Sequence, residues 1–113
     1  MSYDVSIGRE NYNYTYNVSK LFYDHILDVG AGGGINELDG KTGKQCVSIL
    51  ADSIRRMDDT RINLWQADEV GEPHFCAKYD SPNGWGSALG GIVFLSRILS
   101  ECALNPRAKV RVY

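Results

Sequence analysis

Ile26-Leu27-Asp28-Val29-Gly30-Ala31-Gly32-Gly33-Gly34 admits two readings, and the fold follows from which one holds. As a strand, the apolar run delivers Asp28 to a glycine loop and requires a parallel sheet around a bound cofactor. As the end of a helix, it leaves the glycines as a connecting loop. The residues upstream favour the helix. Val18, Leu21, Phe22 and Ile26 recur at three- and four-residue spacing, and Asn17 or Ser19 carries a short oxygen-bearing side chain able to cap the first turn. This reading gives a helix from Val18 to about residue 28, stopped by Gly30, and a loop over 30–34 that cannot hold regular structure cheaply.

Locally the same stretch resembles the first motif of class I methyltransferases, in which an acid and a glycine loop let the backbone approach S-adenosylmethionine. That fold needs a second acid at the end of a following strand. Here Thr42-Gly43-Lys44-Gln45 has the form of a capping box, and Cys46, Val47, Leu50, Ile54 and Met57 follow as one apolar face. A helix over roughly 43–58 stands where the strand is required. At 113 residues the chain is one domain, 1–113, too short for such an enzyme. The methyltransferase-like enzyme using Asp28 is therefore the alternative reading.

The remaining segments complete an α+β expectation. Tyr3, Val5 and Ile7 alternate with polar neighbours, a turn follows at 8–11, and Tyr12, Tyr14 and Tyr16 alternate again, as in a hairpin or an ordered loop leading into the first helix. Residues 61–66 and 74–79 also alternate, with Gly71 and Pro73 between them, which suggests a second hairpin. A third helix begins near Ser87, buries Leu89, Ile92, Leu95, Leu99 and Cys102, and ends at Asn105-Pro106. Ala108, Val110 and Val112 alternate with charges as a last strand. The expected fold is a small antiparallel sheet, built from N- and C-terminal strands and a hairpin, packed on three helices.

Composition and spacing narrow the chemistry. The net charge of -2 makes nucleic acid an unlikely partner. No positively charged, apolar leader begins the chain, and the apolar stretch within 88–99 falls short of a membrane span of ~20 residues. The expectation is a cytoplasmic protein without a membrane partner. Gly34…Gly40-Lys41-Thr42 resembles a phosphate-binding P-loop with one residue too many, and Glu37 and Asp39 within it repel phosphate. His25, His74, Cys46, Cys76 and Cys102 include zinc-ligand types but lack paired short spacing. In a reducing compartment the cysteines read as small core residues. No catalytic residue, metal or cofactor is expected.

Two segments stand apart from the core pattern. Asn13-Tyr14-Thr15-Tyr16-Asn17 is dense in groups that hydrogen-bond and stack. Pro82-Asn83-Gly84-Trp85-Gly86 sets a large aromatic in a glycine-rich turn. Trp85 either closes the core over the following helix or joins Tyr14 and Asn83 in a surface pocket. Asn13 and Asn17 either satisfy loop backbone or line that pocket. The final strand carries Lys109 and Arg111 on one face, with Arg107 just before it; such charges guard an edge strand or hold an anion.

In combination these segments resemble a family of small proteins of tailed phages, prophages and scattered bacterial genomes. The motifs are Asn13-Tyr14-Thr15-Tyr16-Asn17-Val18-Ser19, Leu38-Asp39-Gly40-Lys41-Thr42-Gly43, Pro82-Asn83-Gly84-Trp85-Gly86, Asn105-Pro106 and a terminal valine strand. The chain departs from the family around residues 60–80 and in the glycine run at 30–34. The resemblance implies a helix start at 38–43. By analogy, it also implies a non-catalytic accessory protein, in the host cytoplasm if phage-encoded, that antagonises host defence. One version sequesters a small nucleotide-like ligand, with Tyr14, Asn83 and Trp85 on the base and Arg107 or Arg111 on the phosphates. Another covers a host protein through Trp65, Phe75 and Tyr79 of the second hairpin. A homodimer that buries the tyrosine-rich segment is a third possibility.

Overall fold

The computed structural model describes residues 2–68 and 75–113, with residues 64–68 described by backbone alone. β1 (Ser2–Ile7) and β2 (Glu10–Thr15) form the first hairpin, with Ser2 opposite Thr15 and Ile7 opposite Glu10. Gly8, at φ 59°, supplies the left-handed residue of its tight turn. A 3-10 turn over Tyr16–Val18 leads into α1 (Ser19–His25), and a second 3-10 turn covers Gly34–Leu38. Then follow α2 (Gly43–Asp68), α3 (Phe75–Tyr79), α4 (Ala88–Leu104) and β3 (Val110–Val112). β3 pairs antiparallel with β1, giving the strand order β2-β1-β3. The α+β class is as expected.

One face of the sheet closes the core. Tyr3, Val5, Ile7 and Val110 are buried, with Tyr12, Tyr14 and Val112 packed beside them. Leu21 and Phe22 of α1, Leu50 and Met57 of α2, and Leu95 and Ile98 of α4 fill the space beneath. The capping box forms as read: Thr42 N–H donates to Gln45 Oε1 at 2.9 Å, and Gln45 N–H to Thr42 Oγ1 at 3.3 Å. A side chain at Gly43 would fall on the Asn105 carbonyl oxygen, so the start of α2 can lie against the end of α4 only with glycine there.

Four expectations are corrected. Residues 61–66 are not a strand but the continuation of α2, and residues 75–79 are helical, so the second hairpin does not exist. Once nucleated, a helix propagates until something stops it, and no Gly or Pro intervenes between Gly43 and Gly71. Asp52–Arg55, Asp52–Arg56, Arg55–Asp59 and Asp58–Arg61 are ion pairs at three- and four-residue spacing along it. In α3, Phe75 and Tyr79 are both buried and their rings meet at 4.9 Å, while Ala77 between them is exposed. A strand would place all three on one face. Trp65 belongs to α2 by its backbone; its side chain, and His74, lie outside the described residues.

The first helix is also shorter than expected. It ends at His25, and Ile26 is already extended at φ -99°, ψ 107°. Asp28 draws downstream amides to its side chain, which competes with continuing the helix. Its entry is likewise capped differently: Thr15, not Asn17 or Ser19, accepts from the Asn17 N–H at 3.1 Å and caps the preceding 3-10 turn. The buried face of α4 is rotated. Ala88, Gly91, Phe94, Leu95, Ile98 and Cys102 point inward, and Leu89 is 47% exposed. Gly91 sets this rotation, since a Cβ there would lie 2.8 Å from Leu21 Cδ2. Cys46 and Cys102 are buried and Cys76 is half-buried, all as free thiols.

Candidate binding site

Trp85 is 74% exposed, on a turn whose backbone is held from several directions. Asn83 Oδ1 accepts the Trp85 N–H at 3.0 Å and also the Ser81 hydroxyl. Asn17 Nδ2 donates to the Trp85 carbonyl at 3.1 Å. Ser81 N–H reaches the Gly86 carbonyl at 3.1 Å, closing the loop's neck. Gly84 and Gly86 take φ 78° and 118°, and a Cβ on Gly86 would fall on Thr15 Cγ2. These constraints settle the choice left open by the sequence: Trp85 is not core. Its peptide groups are satisfied within the protein and its ring is turned to solvent.

Beside it lies an open cleft of about 730 Å³, lined by Ser2, Asn13, Tyr14, Thr15, Asp80 and Trp85 among others. One wall is fixed by Tyr14, whose hydroxyl bonds the Ser87 backbone and whose ring stacks on Phe94 at 5.6 Å. Ser87 caps α4 by accepting the Gly90 N–H at 3.0 Å, and Asp80 Oδ1 accepts the Ala88 N–H at 2.7 Å. The start of α4 is thus occupied by the protein's own carboxylate. Among the described residues Asp80 is the one charged side chain in the lining. The chemistry offered is an aromatic face, neutral hydrogen-bonding groups and a single negative charge.

Several site residues read from the sequence come together here, in different roles. Asn13, Tyr14 and Trp85 line the cleft, while Asn17 and Asn83 hold the Trp85 turn from behind. Arg107 and Arg111 are not part of the lining. Arg111 sits opposite Ser6 on β1, four residues from the Ser2 end that borders the cleft, or ~13 Å at strand rise. Asp80, Ser2 and Thr15 were missed. The turn-forming run Asp80-Ser81-Pro82-Asn83-Gly84 carried a signal for the first. The hairpin register carried it for the other two, since a turn at 8–9 sets Ser2 opposite Thr15.

The glycine loop is filled from within. Gly30 and Gly32 N–H donate to Asp28 Oδ1 at 2.8 and 3.2 Å. Ala31 and Gly33 N–H donate to Glu37 Oε2 at 3.0 and 2.7 Å. Gly34 N–H reaches the Ile26 carbonyl at 3.1 Å. Five successive amides therefore bond to the chain itself. The backbone bonds hold Asp28 below the usual carboxylate range. Glu37 is fully buried, with Lys41 Nζ 4.0 Å from its other oxygen. Residues 22–29 contribute no strand to the sheet.

The P-loop-like motif is structural as well. Gly40 N–H and the Lys41 carbonyl both bond Val110 at 2.8 Å, and Asp39 Oδ1 accepts the Val112 N–H at 2.9 Å. This strap ties the last strand to the start of α2. His25 is committed too, with Nδ1 donating to the Leu21 carbonyl at 2.7 Å and Nε2 2.9 Å from Thr60 Oγ1. Among the described residues no cluster of three His, Cys, Asp or Glu is placed to hold a metal ion. Nor does any helix among them have the length and apolarity to cross a membrane.

Comparison with protein-family models, with curated proteins and with solved structures yields no match. The fold and cleft define a small α+β protein with an aromatic surface site.

Proposed function

We propose that this protein acts by binding a partner protein, with Trp85 as the anchor, and that it is an accessory protein of the phage type that covers a host factor. The observation that carries the reading is the exposure of Trp85 on a turn held by Asn17, Asn83 and Tyr14. An exposed tryptophan normally forfeits the gain of burial. With its backbone already fixed by bonds to its N–H and C=O, Trp85 has only its side-chain torsions left to order when a partner covers it, which suits an interface anchor. A phosphate-bearing nucleotide fits the cleft less well, because among the described residues its lining offers Asp80 and no Lys or Arg.

The test is affinity capture from host lysate with the wild-type protein and with Trp85→Ala. A partner retained in stoichiometric amount by the first and lost by the second is expected. Equal capture by both would remove Trp85 from the interface. A thermal shift with cyclic or ADP-ribose-derived nucleotides, abolished by Trp85→Ala, would replace the protein partner with a small ligand.

A further inference from the structure

We infer that the free edge of β2 receives an extended segment of the partner as a fourth strand, laid between β2 and α4 with a basic side chain at Trp85. The inference rests on the binding reading above and assigns the chemistry of what is bound.

The argument begins with the ladder. β2 is the outermost strand, paired on one side only. On β1, Asp4 exchanges backbone bonds with Tyr113, at 2.8 Å through the Tyr113 N–H and 3.5 Å through its own. In an antiparallel sheet the N–H and C=O of one residue point the same way. Asp4 therefore faces the β3 side, and Asn13 opposite it on β2 directs both of its backbone groups to the open edge. Two residues away, Asn11 does the same. Among the described residues neither amide meets a protein acceptor. Guards are few, for the one charge in Glu10–Thr15 is Glu10 at its first position, the strand contains no Lys or Pro, and its register with β1 runs without a bulge.

Beneath this edge runs a groove. Gly90, Val93, Phe94 and Arg97 of α4 and residues 11–14 of β2 enclose about 460 Å³. Asn13 and Tyr14 are shared with the Trp85 cleft at one end. Tyr12, Val93 and Arg97 are shared with a hollow of about 510 Å³ at the other. A strand added to β2 sends alternate side chains down into this groove and the others to solvent. Val93, 50% exposed, offers an apolar floor for β-branched side chains. At the Trp85 end the one charged side chain among the described lining residues is Asp80, and the face of an indole attracts cations. Extended backbone, apolar alternation and one Lys or Arg together describe the occupant.

The probe is a random twelve-residue peptide library panned on the intact protein, followed by titration of the selected peptides. Peptides with alternating β-branched residues and a basic residue are expected, with the Asn11 and Asn13 amides slowed in hydrogen exchange on binding. Asn13→Pro should weaken them more than tenfold while leaving the β1 ladder intact, because the lost N–H points outward. Trp85→Ala should weaken the same peptides.

Peptides lost with Trp85→Ala but insensitive to Asn13→Pro would overturn strand addition and leave the binding reading standing. Insensitivity to both would overturn both. Failure to select any peptide, or a dimer of this chain in solution that Asn13→Pro dissociates, would overturn the assignment of this edge to a partner's segment. If Asn13→Pro does not fold, amide exchange on the unmodified protein decides alone.

Discussion

The hydroxyl of Tyr14 serves both backbone groups of Ser87, accepting its N–H at 2.9 Å and donating to its carbonyl at 3.0 Å. One oxygen thus joins the edge strand to the start of α4, beside the turn that presents Trp85. Tyr14→Phe keeps the ring on Phe94 but orphans the Ser87 N–H in a half-buried position. The expected loss is about 1–3 kcal/mol, read as a lower urea midpoint with unchanged slope. Trp85→Ala, by contrast, should leave stability within ~0.5 kcal/mol of wild type, since its side chain stands in solvent.

Gly90 lies under the same hydroxyl. Helix propensity alone makes Gly→Ala stabilising by about 1 kcal/mol. A Cβ at this position would land on the Tyr14 hydroxyl and 2.9 Å from Ser87 Oγ. Gly90→Ala should therefore destabilise. The penalty should shrink in the Tyr14→Phe background, a coupling that a double-mutant cycle measures directly.

Glu37 organises the glycine loop from a fully buried position. Glu37→Ala strands the Ala31 and Gly33 amides, at about 1–3 kcal/mol for the buried Gly33 donor and less for that of the exposed Ala31. Glu37→Gln retains an acceptor oxygen and should lose less. With the loop amides occupied, titration of S-adenosylmethionine into the wild-type protein at millimolar concentration should release no heat. A binding isotherm there would restore the cofactor reading of Asp28.

Asp24 fastens α3 to α1, accepting from Tyr79 Oη and Lys20 Nζ, both at 2.8 Å. Burial raises its pKa, but the bonds from Lys20 and Tyr79 outweigh that and leave it lowered. A carboxylate depressed in the folded state stabilises above its unfolded value of ~3.9 and loses that contribution as pH falls through the folded value. The stability gap between wild type and Asp24→Asn should hold steady near neutrality and close below about pH 4. Urea unfolding at stepped pH checks it, and a gap that widens on acidification would contradict the pairing.

Local pattern carried the hairpin, the capped start of α2, the start of α4 at Ser87 and the last strand, because each depends on neighbours within a few residues. The motifs also marked both sides of the Trp85 cleft. Alternation misled at 61–66 and 75–79, where a period of two in a short window is shared by strand and helix. The i,i+4 charges of α2 and its freedom from Gly and Pro are what favour the helix there. Whether Trp85 faced the core or solvent was not decidable from its turn alone. Asn17 and Tyr14 hold that turn from 68 and 73 residues away.

What the chain order determined is the first hairpin, the capped start of α2, the start of α4 and the last strand. Only tertiary packing decided that the Trp85 ring faces solvent, that Gly91 rotates α4 against Leu21, and that β2 is left with an open edge. The physical reason is reach. A cap or a turn is satisfied by atoms a few bonds along the chain, whereas a groove or an open strand edge exists only once distant segments are pressed together.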